Sequence, residues 1–193
     1  ISHLSSGMSA RSIENISEIK SYLNEYNLIT LKPVIYVCNV DEDSIINGNK
    51  FSASFKDHIK SNIILISADI ESQIATLSNE EQPDFLSSLG LKESGLNKII
   101  REGYDTLNLI TYFTSGEMES RAWTIEKNTL APDAAGKIHT DFKSGFIRAE
   151  TISSEDFITC KGETKARELG KLRSEGKEYV VQDGDVMHFL FNN

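Results

Sequence analysis

"VIYVCNVDED", residues 34–43, is the stretch on which the reading of this chain turns. A run of β-branched and aromatic residues stops at Asn39, and Asp41, Glu42 and Asp43 follow at once. A short, uninterrupted apolar run of this kind predicts a strand covered on both faces, as in a parallel sheet. Lys32-Pro33 ahead of it ends any helical pattern, because a proline pushes the residue before it out of helical geometry. A second such run, "NIILISA" at 62–68, comes after a helical segment around Phe51–Lys60. Strand, helix, strand at this spacing predicts a βαβ unit with a right-handed connection. In an open parallel sheet ligands gather beyond the carboxyl ends of the strands, and Asn39 and Ser67-Ala68 both fall there.

Upstream, "ISHLSSGMSARS" reads as polar connection, and Ile13, Ile16, Ile19, Tyr22, Leu23 and Tyr26 form one apolar stripe of a helix beginning near Ser12, its expected N-cap. Downstream, helices are expected at roughly 70–79 and 80–89, the second with Pro83 in its first turn. A further helix places Leu96, Ile99, Ile100, Gly103, Leu107 and Ile110 on one face. From Asn108 the period changes. "LITYFTSG" and "RAWTIEK" predict a hairpin. Beyond it come a helix in "APDAAGKIHTDF", a strand "GFIRAET", a short helix near 162–173, and strands "KEYVV" and "DVMHFLF" flanking a Gln182-Asp183-Gly184 turn. The expected fold class is α/β, a parallel sheet with helices, followed by a small separate α+β domain.

With 193 residues, 39% hydrophobic, and a net charge of -9, the sequence suits a globular protein of one or two domains. No apolar stretch approaches the roughly 18–20 residues of a membrane span, and a cytoplasmic location is the default expectation. Cys38 and Cys160 lie far apart, neither in a CxxC pair, so no disulfide framework or zinc site is indicated. His3, His58, His139 and His188 never pair at ligand spacing. His139 reads as a hydrogen-bonded residue at a helix end, and Trp123, with Tyr112 and Phe113, as core of the second domain.

P-loop GTPases place N-K-x-D after one strand and S-A after the next: the Asn amide holds the base, the Lys stem covers the ring, and the Asp accepts from guanine N1 and N2. Here the letters are Asn39-Val40-Asp41-Glu42. Val40 would cover the ring, and Glu42 is longer than the Asp by one methylene. A longer carboxylate cannot take guanine's two donors in the same plane, whereas an Asn amide can donate to N7 and accept from N6 of adenine. The substitution favours ATP over GTP, and the candidate base-binding residues are Asn39, Val40, Glu42, Ser67 and Ala68. The bland alternative is that Asn39 ends a strand, the acids start a helix and Ser67 is an N-cap.

"ARSI", "KPVIYVCNVDED", "GLNKIIREGYDTLNLITYFTSGEMESRAWTI", "APDAAGKIHTDFKSGFIRAE" and "GKEYVVQDGDVMHFLFN" resemble, in order, the YchF/Obg-like ATPase family, a branch of the P-loop GTPases. The resemblance implies the end of a helical, coiled-coil insertion in 1–32, the second half of a G-domain-like nucleotide-binding domain in 33–109, and a TGS domain, a β-grasp module, in 110–193. It also implies ATP binding and slow hydrolysis, Mg2+ dependence and association with the ribosome. The family's G-x-x-x-x-G-K-[ST] loop does not occur in these 193 residues, and its Mg2+ ligands are expected ahead of Ile1. Because that loop supplies most of the phosphate binding and transition-state stabilisation, the segment alone is expected to be inactive. The alternatives are a non-catalytic RNA or ribosome adaptor and a GTP-binding relative. Lys161, Lys165, Arg167, Lys171 and Arg173 make the 161–177 stretch locally basic and are candidates for contact with RNA phosphates; the competing reading is a solvated helix face with internal pairs.

Overall fold

The computed structural model describes residues 1–116 and 118–192, without the side chain of Lys20. The chain forms two compact units, the first ending at Thr106 and the second opening at Leu107.

The first unit is organised by the βαβ unit. Strand β1 (Tyr36–Asn39) pairs in parallel with β2 (Ile63–Ile66), in register from Tyr36 opposite Ile63 to Asn39 opposite Ile66. Two short helices lie upstream, α1 (Ser2–Ser5) and α2 (Ile16–Asn24). Helix α3 (Lys50–Ile59) connects the strands; Asn49 and Ser52 cap it reciprocally, each side chain meeting the other's backbone N–H. Helices α4 (Ala68–Thr76), α5 (Gln82–Ser88, Pro83 in its first turn) and α6 (Gly95–Thr106) follow. Val40, Ile45, Ile70 and Ile74 form the core, with Cys38, Leu65, Phe85 and Leu86 packed against it.

The first unit departs from expectation in four places. Residues 2–5 are helical and Ala10–Ser12 form a 3-10 turn. The stripe helix starts at Ile16, not Ser12, because Asn15 takes the left-handed conformation (φ 56) and Ser12 instead donates its hydroxyl to the Ser9 carbonyl. That stripe is not buried: Tyr22 and Tyr26 are 73% and 72% exposed. The strands are covered less than predicted. β1 alternates between half-buried and exposed positions, with Val37 and Asn39 on the outward face. On α6, Leu96 and Ile100 point to solvent while Ile99 and Gly103 are half-buried; the left-handed Asn108 (φ 57) ends the pattern, and Ile110 belongs to the next sheet.

The second unit carries a five-stranded sheet in the order β4-β3-β7-β5-β6. Its strands are β3 (Leu109–Ser115), β4 (Ser120–Glu126), β5 (Phe146–Ser153), β6 (Arg173–Glu175) and β7 (Asp185–Phe191). β3 runs parallel to β7, and the other pairings are antiparallel, giving a β-grasp arrangement. Helix α7 (Ala131–Ile138) lies on the sheet through Ala131, Ala134 and Ala135, all fully buried; such small side chains let helix and sheet backbones approach closely. Tyr112 is wholly buried beneath α7, its hydroxyl donating to the Ala134 carbonyl at 2.9 Å, and burial raises its pKa. Trp123 stacks on Tyr112 and donates to Thr114 Oγ1, while the Arg121 guanidinium covers its ring, 4.2 Å from the centroid.

The expected helix over 131–142 breaks at His139, which is extended (φ -156, ψ 144); its Nδ1 accepts from Asp141 N and caps a separate α8 (Thr140–Ser144). An unforeseen α9 (Ser154–Thr159) starts on Ser153, whose hydroxyl oxygen accepts from Asp156 N. The helix expected near 162–173 is only α10 (Glu163–Glu168), and Arg173–Glu175 is strand β6. "KEYVV" is no strand: it contributes one isolated bridge, Val180 with Leu130, and its loop is tied to Asp185. Asp185, 3% exposed, accepts from Tyr179 Oη at 2.7 Å, Gln182 N at 2.9 Å and Arg173 at 3.3 Å.

Gly145 immediately precedes β5, beside the end of β7, and Asn192 N donates to its carbonyl. A Cβ at this position would overlap the Asn192 carbonyl oxygen, a backbone atom that cannot swing aside. Gly145→Ala is therefore expected to destabilise the second unit by about 1–3 kcal/mol, read as a lowered urea midpoint with unchanged slope.

Candidate functional site

The site grows from the ends of β1 and β2. Ser67, 1% exposed, is the N-cap of α4, its hydroxyl oxygen accepting from Ile70 N at 3.5 Å. Asn39, at the end of β1, supplies a second cap. Its Oδ1 accepts from Ala68 N at 2.9 Å, satisfying one of the helix's orphan donors across 29 residues of chain. A backbone N–H can be met only by the oxygen of the amide, so this bond fixes the orientation of the side chain and turns Nδ2 away from the helix. Asn39 and Ala68 are both exposed.

The acids that follow have different tasks. Asp41 caps the 3-10 turn Glu42–Ser44, its Oδ1 accepting from Ser44 N at 2.9 Å, and hydrogen bonding from Ser44 holds its carboxyl below the usual pKa. Glu42 leaves this turn and reaches α4, where its Oε1 accepts from Gln73 Nε2 at 2.7 Å. Asn39 and Glu42 thus both dock on one helix, at its first residue and at Gln73.

Val40 does not join them. Its side chain is 8% exposed and packs with Ile45, Ile70 and Ile74, so the expected role as a cover for the ring is not available to it. Its N–H donates to the Ile66 carbonyl at 2.8 Å, continuing the sheet ladder past Asn39. The inward turn was legible in the sequence: with period two, Val40 lies on the same side as Cys38 and opposite Asn39.

Two residues of the site escaped the sequence reading. Gln73 is one. Glu71 is the other: its carboxylate accepts from Gly95 N at 2.6 Å and Leu96 N at 3.3 Å, so the side chain of one helix caps the next. Gly95 is needed there, since a Cβ would stand 2.7 Å from Ile66 Cγ2 and 2.8 Å from Glu71 Oε1. No local spacing announces either contact.

The basic stretch behaves mostly as an internally paired surface. Arg167 bonds Glu150 at 2.7 Å and Glu163 at 2.9 Å, Lys171 lies 3.2 Å from Asp156, and Arg173 pairs with Glu175 and Asp185. The Lys171 contact is the main reason the Asp156 pKa is lowered, and Glu150 the main reason that of Arg167 is raised. Of the five candidate RNA contacts, Lys161 and Lys165 carry no ion pair among the described residues. Among those residues, too, no group of three or more His, Cys, Asp or Glu side chains is placed to hold a metal ion. No described helix is long and apolar enough to cross a membrane.

Residues 109–192 match the family described as YchF-GTPase_C, a protein of unknown function (DUF933). The chain is 51% identical over 184 residues to the ribosome-binding ATPase YchF of Escherichia coli O157:H7, covering 94% of this chain and 51% of that protein. It is 48% identical over 188 residues to the protein of that name from Bacillus subtilis, covering 95% and 51%. The solved structure of the Schizosaccharomyces pombe YchF GTPase superposes with a TM-score of 0.77 at 38% identity, over 93% of this chain and 49% of that one. The chain spans about half the length of the curated relatives it matches. Half-identical in sequence along nearly its whole length and alike in fold, it belongs to the YchF family.

Proposed function

We propose that this chain supplies the base-reading half of an ATP-preferring, ribosome-associated P-loop hydrolase, with Asn39, Glu42, Ser67 and Ala68 as the base rim and Val40 as its buried support. The observation that carries this reading is the Asn39–Ala68 bond, which leaves the Nδ2 donor pointing off the end of the sheet. That amide would donate to purine N7. The rim otherwise offers acceptors: a free Glu42 oxygen and the second lone pair of Asn39 Oδ1. Ala68 N–H, a donor that could have met a 6-oxo group, is already used. This balance suits a 6-amino purine, and binding energy at the base would hold ATP while the phosphate loop and Mg2+ ligands, outside this segment, act on the phosphates. The domain organisation proposed with it is a helical segment in 1–32, the nucleotide-binding half in 33–109 and a TGS domain in 110–193. The relatives' printed names support ribosome association and, through it, a cytoplasmic location.

Asn39 serves both helix and base, and two substitutions separate the roles. Asn39→Ala removes the helix cap and is expected to cost about 1 kcal/mol in denaturant unfolding. Asn39→Asp keeps an acceptor for Ala68 N–H but has no donor for N7; in the intact protein it is expected to leave unfolding nearly unchanged and weaken ATP binding about tenfold or more. Calorimetric titration of the unsubstituted protein should give tighter binding for ATP than for GTP. Equal affinities would sink the adenine reading.

For the ribosome, the double reversal Lys161→Glu, Lys165→Glu is expected to reduce co-sedimentation at moderate salt, because these two cations carry no ion pair among the described residues. Undiminished co-sedimentation would move the contact elsewhere and favour a solvated surface as the whole role of this stretch.

A further inference from the structure

We infer that Gln73 is a positioning residue that sets the purine preference of the site by holding Glu42. The inference rests on the base-reading proposal above and adds to it a residue no motif contains. Glu42 is an exposed side chain with three rotatable bonds, and left free it would scatter one carboxylate over many directions. The Gln73 amide removes that freedom with a short charge-assisted bond to Oε1, 2.7 Å. Gln73 is a good anchor because its helix is fixed at several points. Ser67 and Asn39 cap the N-terminus, Ile70 and Ile74 are buried on the inner face, and Glu71 is tied to the start of α6. With Oε1 occupied, the acceptor left to a ligand is Oε2, at a place set by α4 and not by the mobility of a loop. A carboxylate accepts and never donates, and with Oε1 committed to Gln73 it cannot take guanine's N1 and N2 donors as a pair, whereas one free oxygen is enough for the single amino group of adenine.

The geometry also separates Gln73 from a merely structural residue. Its bond joins two exposed side chains, so its loss opens no cavity and leaves no buried group unpaired.

The test is a double-substitution cycle in the intact protein, reading the ratio of GTP to ATP dissociation constants by calorimetry with thermal melting alongside. Gln73→Ala is expected to lower the ATP preference about fivefold with little change in melting temperature. Gln73→Lys keeps a single-point donor for Glu42 and is expected to retain the preference. Glu42→Ala should lower the preference at least as much as Gln73→Ala, and the double variant no further than Glu42→Ala alone. An unchanged ratio in Gln73→Ala, alongside a changed one in Glu42→Ala, overturns the role of Gln73 and leaves the base site standing. Additive losses overturn it as well, since Gln73 would then not act through Glu42. An unchanged ratio in Glu42→Ala removes both the inference and the part of the base site on which it stands.

Discussion

The bond from Ala68 N to Asn39 Oδ1 is the constraint on which the first unit's functional end depends. A parallel strand pair brings its two carboxyl ends side by side, but nothing in the ladder itself fixes where the next helix starts. The helix that leaves β2 has unsatisfied N–H groups at its beginning. One is met by its own Ser67 and another by Asn39 of the neighbouring strand, so the start of α4 is defined by both strands together. Everything else at that end is hung from α4: Glu42 through Gln73, and α6 through Glu71. The polar groups proposed above to read a base are also the fastenings of the scaffold.

This double use explains why the motif could be read by letter but not by role. The short apolar runs, the βαβ order and the cap at Ser67 are local signals, and they were legible; the cap at Asn49 is equally local and was not read. The partners of Asn39 and Glu42 lie 29 and 31 residues away, and spacing cannot announce them. Val40 is the opposite case. Alternation along β1 places it inward, and the analogy with a ring-covering lysine overrode a simpler rule that was correct. In the second unit, the break at His139 and the helix after Ser153 follow from side chains that cap, a signal the sequence contains in "KIHTD" and "SSED". The misplaced strand at "KEYVV" had no such signal, because the buried carboxylate that shapes that loop, Asp185, comes after it in the chain and acts through Tyr179, Arg173 and Gln182 N.

Charge follows the same economy in both units. The protein is strongly acidic, with a net charge of -9, and its basic stretch sits among carboxylates close enough to claim it. Most surface pairs contribute little to stability, but they do fix where a cation is. Arg167 is shared between Glu150, only 12% exposed in its side chain, and Glu163, while Arg173 is drawn toward the buried Asp185. A guanidinium held this way positions helix α10 or strand β6 and would have to abandon a carboxylate to meet a phosphate. Lys161 and Lys165 have no such prior claim among the described residues. An acidic protein that must approach a polyanion cannot do so through its overall field, which repels. It can do so only through a few cations kept free of their own acids, so the distribution of ion pairs within the second unit bears more on where a nucleic acid could touch it than the count of lysines and arginines does.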